Sequence, residues 1–282
     1  MRHRSGSGLS PAGVTIDAFG PAAAVDGFVS RLRVEWPPSA QVEALVTTGL
    51  ADGAPSDFVI ATSHANGPRQ LTIGPDLATC HDCLAEVDDA FNRRYGYAFT
   101  NCTQCGPRIS ILDEVPYDRA TTTMAAFDMC SDCAREYRTV SDRRFHAEPN
   151  ACPRCGPQLT CRDASGSLAV DDPIAAARDA IMAGLVVMVK GLGGYHLTCD
   201  ASNESAVARL RDRKLRDAKP FAIMVADVAA AERLAFVDPT ERALLAGVER
   251  PIVLLRPRPN DLARAVARDS ARIGVMLPYT PL

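Results

Sequence analysis

No apolar run in the 282 residues approaches the roughly 20 that a bilayer-spanning helix needs, and the opening Met1-Arg2-His3-Arg4-Ser5-Gly6 lacks the apolar stretch of a signal peptide. The chain is therefore expected in the cytoplasm. An excess of one charge is also missing: 31 Lys and Arg stand against 34 Asp and Glu, a net charge of -3, so there is no global field of the kind that marks a dedicated nucleic-acid binder. The Gly-x-x-x-x-Gly-Lys-Ser/Thr phosphate loop is absent. Residues 1–12 show no hydrophobic periodicity and read as a disordered Ser/Gly/Arg-rich tail. From Thr79 to about Thr160 few aliphatic residues are available to build a conventional core.

Cysteine is what that stretch has instead. Eight of the ten cysteines stand in four Cys-x-x-Cys pairs: Cys80/Cys83, Cys102/Cys105, Cys130/Cys133 and Cys152/Cys155. In each half 18 residues separate the two pairs, and 24 residues separate the halves. A thiolate pair two residues apart reaches one ion from a tight knuckle, and a second knuckle completes a tetrahedral shell, so the layout predicts two structural Zn2+ sites. Four sulfurs leave no coordination position open for water, which makes both sites structural and not catalytic. A reducing compartment and the paired spacing argue against disulfides. Local pairing of neighbouring knuckles is favoured by its shorter loop closure, and interleaved pairing is the alternative. His81 and His146 stand near complete sulfur sets and are expected to have hydrogen-bonding or surface roles.

The repeat extends beyond sulfur. A shift of 50 residues maps Cys80, Asp82, Cys83, Glu86, Arg93 and Arg94 onto Cys130, Asp132, Cys133, Glu136, Arg143 and Arg144, and Cys102, Cys105, Gly106 and Pro107 onto Cys152, Cys155, Gly156 and Pro157. One zinc module has been duplicated. The glycine after each fourth cysteine suits the positive φ of a knuckle whose amides face the sulfur.

At this length, and with 47% hydrophobic residues, the chain can hold two or three compact units. Order is expected from Gly13. Val14, Ile16 and Ala18 alternate as a strand, and Val25, Phe28, Val29 and Leu32 recur at helical spacing until Pro37-Pro38. Strands are expected at Val42–Thr47 and Phe58–Thr62. After a linker at Asp163–Pro173, a helix through Ile174, Ala177, Ile181 and Met182 stops at Gly184, and Leu185–Val189 reads as a strand buried on both faces. Helix at Ser205–Arg216, strand at Phe221–Val225, helices at Ala229–Ala235 and Glu241–Leu245, and strand at Ile252–Leu255 complete an alternating α/β or α+β pattern.

Two basic segments invite a ligand. Asp142-Arg143-Arg144-Phe145-His146 and Arg93-Arg94-Tyr95 combine cations with aromatics, which suits phosphate or RNA as well as a solvated face or packing over zinc. In the third unit, Lys190-Gly191-Leu192-Gly193-Gly194 follows an apolar strand, either as a ligand loop or as a plain turn. The run from Arg209 to Lys219 precedes another apolar strand, where part of its charge can enter a phosphate pocket.

These motifs, with Cys102-Thr-Gln-Cys-Gly-Pro-Arg108, Pro116-Tyr-Asp-Arg119 and Leu215-Arg-Asp-Ala-Lys-Pro-Phe-Ala222, resemble the hydrogenase-maturation carbamoyltransferase family, HypF. The resemblance runs from about Gly13 to Leu282. It implies an α+β multidomain chain: a partial acylphosphatase-like, ferredoxin-like domain at 13–66, a tandem zinc-binding domain at 67–162, and a partial YrdC/Sua5-like α/β nucleotide-binding domain at 172–282. It also implies carbamoyl phosphate and ATP, with Mg2+, as substrates of the intact enzyme, which forms carbamoyl adenylate. The carbamoyl group then passes to a C-terminal cysteine of a hydrogenase maturation partner, on the way to the cyanide ligand of nickel–iron hydrogenases. Lys214 and Arg216 match the family's Lys-x-Arg and Lys219 the lysine that follows. Lys190 joins them as the fourth expected nucleotide-binding residue.

The departures shape the expectation. The Val-x-Gly-Val-x-Phe-Arg loop and the asparagine of an acylphosphatase resembling the family are missing, so no acylphosphatase activity is expected. The sequence stops within a stretch that leads on, in the family, to the rest of the YrdC-like domain and a transferase domain, so it looks like a fragment at both ends. The alternative to part of a carbamoyltransferase is a catalytically incomplete zinc-binding module that holds nucleotide or double-stranded RNA. A standalone acylphosphatase ranks below both.

Overall fold

A computed structural model describes residues 4–10, 13–36, 42, 44–50, 59–60, 73–163, 165–166, 170–215 and 219–282. The chain divides into two units, Met1–Ile73 and Gly74–Leu282.

In the first unit, β1 (Arg4–Ser10) pairs antiparallel with β2 (Gly13–Phe19), from Arg4 opposite Phe19 to Ser10 opposite Gly13. For residues 4–10 this corrects the disordered tail expected at residues 1–12, whose other residues lie outside the described ones. Composition alone disfavours a strand there, but the edge of β2 offers a row of backbone donors and acceptors, and pairing outweighs weak local propensity. Helix α1 (Ala22–Leu32) follows, with Val25, Phe28, Val29 and Leu32 as a half-buried stripe. Its end precedes Pro37-Pro38, which lie outside the described residues. Strand β3 (Val59–Ile60) adds parallel to β1, giving the sheet order β2-β1-β3. Val59 and Ile60 fall in the expected strand at Phe58–Thr62, whose other residues are not described. The strand expected at Val42–Thr47 is not seen: Val42 and residues 44–47 have no regular structure.

The second unit opens with the cysteine repeat. Each module contributes one short helix, α2 (His81–Asp88) and α3 (Ser131–Arg138). Between them run three short 3-10 turns. A small apolar cluster of Tyr97, Met124 and Ala151, flanked by Phe99, Ile111 and Phe127, is the only core of carbon among the described residues of this stretch. The segment entering the first module is tied to the later part of the unit, because Ala78 N donates to Val248 O at 2.8 Å and Thr79 N to Tyr279 O at 3.3 Å.

Helix α4 (Pro173–Met182) starts where Asp172 accepts from the N–H groups of Ile174 and Ala175, with Pro173 at its first position, and Gly184 closes it at φ +76°. β4 (Val187–Gly191) and β5 (Gly194–Thr198) then form an antiparallel hairpin. Here the expectation of a strand buried on both faces fails. Met188 is 62% exposed and its cross-strand partner Leu197 40% exposed, because among the described residues β4 pairs only with β5 in a two-stranded sheet. An apolar run reports hydrophobicity, not what covers it.

The main core is a four-stranded sheet of order β6-β9-β8-β7, made by β6 (Ala222–Met224), β7 (Ala235–Phe236), β8 (Val253–Pro257) and β9 (Ile273–Met276). β6 and β9 are parallel and the other pairs antiparallel. Helices α5 (Glu204–Arg213), α6 (Val228–Leu234) and α7 (Pro239–Ala246) accompany it. Asn203, Asp227 and Asp238 cap them, and Asp238 forms a reciprocal capping box with Glu241. Leu245, Leu255 and Val275 are fully buried in this core. Leu255→Ala is expected to destabilise it by about 2–5 kcal/mol in equilibrium urea unfolding, the usual range for deleting a buried Leu side chain. A loss below about 1 kcal/mol would show that Leu255 does not hold this sheet together.

Candidate metal centres and a candidate nucleotide site

Each first knuckle is a helix start. Cys80 sits immediately before α2 with Cys83 in its first turn, and Cys130 and Cys133 repeat the arrangement at α3. Helix N-termini favour thiolate over thiol. Each second knuckle is a tight turn: Cys105 N donates to Cys102 O at 3.3 Å, Cys155 N to Cys152 O at 3.0 Å, and Gln104 N points at Cys102 Sγ at 3.4 Å.

The sulfurs converge locally. Cys80, Cys83, Cys102 and Cys105 form one group, and Cys130, Cys133, Cys152 and Cys155 the other, each with its ligand atoms within 4.8 Å of one another. Local pairing, not interleaved pairing, is therefore the arrangement. Neighbouring Sγ atoms lie 3.6–3.8 Å apart in the first set and 3.5–3.8 Å in the second. Four sulfurs about 2.3 Å from a tetrahedral zinc ion stand about 3.8 Å from each other, so both sets suit zinc without rearrangement. Without an ion the thiols of a set compete for protons: burial opposes ionisation at Cys130 and Cys133 alike, yet bonds from the Cys133 N–H and the neighbouring thiols bring Cys130 down to about 6, whereas burial leaves Cys133 pushed up. His81 and His146 belong to neither group. His146 instead packs its ring on Tyr137 and Phe145 at centroid distances of 4.9 and 4.6 Å.

The two glycines after the knuckles differ. Gly106 has φ +90°, as expected, and a Cβ there would lie 2.6 Å from Asn101 Cβ. Gly156 does not have a positive φ; its requirement is close approach, since a Cβ would overlap the Tyr97 hydroxyl and Ala151.

Within the basic-aromatic runs Arg94 and Arg144 turn inward, whereas Tyr95 and His146 stay exposed. Arg94 and Arg144 are 2% and 3% exposed. Arg94 Nη2 donates to Glu136 Oε2 at 2.6 Å and to Asn150 Oδ1 at 2.9 Å, and its Nε donates to Ala151 O at 3.0 Å. Arg144 repeats this on the other module, with a close pair to Glu86 and its Nε on Asn101 O at 3.0 Å. Burial raises the Glu136 carboxyl, but bonds from Arg94 and Arg93 more than reverse this and bring it to about 2. A carboxyl depressed in the fold stabilises it above the ordinary value near 4.5, and that contribution disappears as pH falls through about 2. These cations are neutralised within the protein, which removes the RNA-gripping role considered for the runs. Arg119 of the Pro116–Arg119 motif likewise donates to the carbonyls of Glu148, Asn150 and Phe127 at 2.6–3.0 Å.

Of the four expected nucleotide-binding residues, Lys190 lies exposed on β4, its Nζ 5.9 Å from the Tyr195 ring centroid. Lys214 caps the end of α5, exposed, and Leu215 beyond it has φ +47°. Lys219 is exposed just before β6. Arg216 lies outside the described residues. Sequence reasoning does not single out Arg211, which fixes the base of this basic segment. It is 2% exposed, donates to Ala265 O at 2.6 and 2.9 Å and to Lys219 O at 3.2 Å, and lies 4.6 Å over the Phe221 ring. Nothing but its helical spacing from Val207 and Leu210, both buried, could have marked it.

The chain is similar to known proteins along its length. The family model described as "HypF finger" matches residues 79–112 and 129–161, and that described as "Telomere recombination", of the Sua5/YciO/YrdC type, matches residues 179–282. "Carbamoyltransferase HypF2" of Cupriavidus necator is 52% identical over 276 residues, covering 96% of this chain and 34% of that protein. "Probable carbamoyltransferase HypF" of Methanocaldococcus jannaschii is 38% identical over 264 residues, covering 92% of this chain and 34% of that protein. Among solved structures, "Crystal structure of full-length HypF in the phosphate- and nucleotide-bound form" superposes with a TM-score of 0.90 at 38% identity, over 99% of this chain and 36% of that one. "Crystal structure of T.kodakarensis HypF" gives a TM-score of 0.81 at 39% identity, over 99% of this chain and 36% of that one. The chain thus spans about a third of the length of the relatives it matches. With both zinc modules and the α/β part matched in order, the chain belongs to the HypF carbamoyltransferase family.

Proposed function

We propose that this chain supplies the zinc-containing and YrdC-like parts of a carbamoyltransferase that uses carbamoyl phosphate and ATP to form carbamoyl adenylate. The carbamoyl group then goes to a cysteine sulfur of a hydrogenase maturation partner as AMP leaves. The observation that carries the reading is the likeness, over 99% of the chain, to a HypF structure described as phosphate- and nucleotide-bound. Cations at Lys190, Lys214, Arg216 and Lys219 suit the polyphosphate of ATP, acting beside its Mg2+, since charge builds on phosphate oxygens as the adenylate forms and pyrophosphate leaves. Zinc, when bound, supplies shape only: four thiolates per ion hold the modules closed. The reaction is tested by carbamoyl-phosphate-dependent exchange of pyrophosphate into ATP, using a full-length protein that contains this sequence. Absence of exchange would overturn the reading.

The residue assignment has its own test. In titrations of ATP against this chain, Lys214→Ala and Lys219→Ala are each expected to weaken binding about ten-fold, the usual loss for one charged hydrogen bond. Unchanged affinity in both variants would reject the pocket. Arg211→Met should weaken binding too, through the Lys219 segment that its side chain anchors.

A further inference from the structure

The duplication has exchanged arginines between its two halves. Arg93 and Arg94 belong by sequence to the module of Cys80, yet they bond to the helix that carries Cys130 and Cys133. Arg93 Nη2 donates to Glu136 Oε2 at 2.5 Å and to Cys133 Sγ at 3.3 Å, and Arg94 reaches the same carboxylate. The reverse contacts run at the 50-residue shift. Arg143 Nη2 donates to Cys83 Sγ at 2.7 Å and Cys80 Sγ at 3.4 Å, and Arg144 pairs with Glu86. The backbone repeats the exchange, since Thr103, inside the second knuckle of the first module, donates its N–H to Arg143 O at 3.1 Å and its hydroxyl at 3.0 Å.

This arrangement has an electrostatic consequence. A zinc ion held by four thiolates carries a net charge of about -2, and a guanidinium on the sulfur offsets part of it. Here that guanidinium comes from the other module. Each sulfur set therefore takes a charged donor from a residue whose backbone belongs to the opposite module.

We infer that the two zinc sites load and release metal as a coupled pair, with Arg143 a positioning residue for the Cys80 site and Arg93 its counterpart for the Cys130 site. The coupling runs through two arginine pairs and two carboxylates.

The test is site-resolved zinc release from the zinc-loaded chain. The protein is challenged with a chelator, newly exposed thiols are alkylated at intervals, and modified cysteines are assigned by peptide mass spectrometry. Arg143→Gln is expected to speed alkylation of Cys80, Cys83, Cys102 and Cys105 about 10–100-fold, the usual range for removing a group that orients a metal ligand, with Arg143→Lys recovering part of the loss. Arg93→Gln is expected to act first on Cys130, Cys133, Cys152 and Cys155. Each variant labelling the cysteines of its own module first, or neither changing any rate, would overturn the proposal. Should a variant fail to fold, zinc titration of the unaltered metal-free chain under native mass spectrometry decides instead. Coupled sites leave the one-zinc species well below the share expected of independent sites, and independent shares would contradict the inference.

Discussion

Chelation of zinc is expected to unfold residues 79–161 outright. In this stretch the first module's buried cluster is sulfur, Cys83, Cys102 and Cys105 with Cys80 against it, and the carbon core is limited to the few residues around Tyr97, Met124 and Ala151. Helices α2 and α3 have eight residues each, too short to persist without tertiary support. Apparent zinc-binding free energies of about 10–16 kcal/mol are typical of such sites, and binding energy of that kind is folding energy. Limited proteolysis with and without a chelator reads the effect. Metal-free protein should be cut throughout residues 79–161, whereas the sheet around Leu255 and Val275 has its own core and should last longer. Equal resistance of the zinc region before and after chelation would mean that metal does not hold it.

The second large effect concerns the buried ion pairs. Arg94→Met should destabilise the zinc-loaded protein by about 3 kcal/mol, the lower end of the range for breaking a buried pair, because Glu136 keeps Arg93 as a second partner. The same substitution leaves Asn150 Oδ1 and Ala151 O without their donor. Arg135→Met provides the contrast: its partner Asp132 is on the same helix and both side chains are exposed, so its loss should stay within about 1 kcal/mol. Equilibrium urea unfolding of the two variants side by side measures the difference. Equal, small losses would show that the buried arginines are not structural keystones.

Much of this was legible in residue identities, and the reasons are physical. Four Cys-x-x-Cys pairs separated by 18 residues within each half match the spacing of sulfur-bound zinc, so the ligands and their number follow from spacing. The 50-residue shift also marked Glu86 and Glu136, and Arg93, Arg94 and their counterparts, as repeated. It could not say that each arginine serves the opposite module, because a repeat in sequence does not reveal which copy a side chain faces. Helices α4 to α7 were readable from apolar spacing, and α4 from its glycine stop at Gly184 as well. The short strands β5, β7 and β9 escaped notice, since pairs of residues such as Ala235-Phe236 carry no period of their own. The same limit explains β1, whose pairing partner and not its composition makes it a strand. Gly156 was read correctly as necessary and wrongly as a positive-φ residue; the neighbour it must admit, Tyr97, is 59 positions away. Arg211 escaped because a buried arginine looks like its solvated neighbours until the carbonyls around it are known.

Zinc X-ray absorption combined with native mass spectrometry of the purified chain tests the two-site account most directly. Two zinc ions per chain are expected, each with a sulfur-only shell of four ligands at about 2.3 Å. One ion per chain, or a shell containing nitrogen or oxygen, would contradict it.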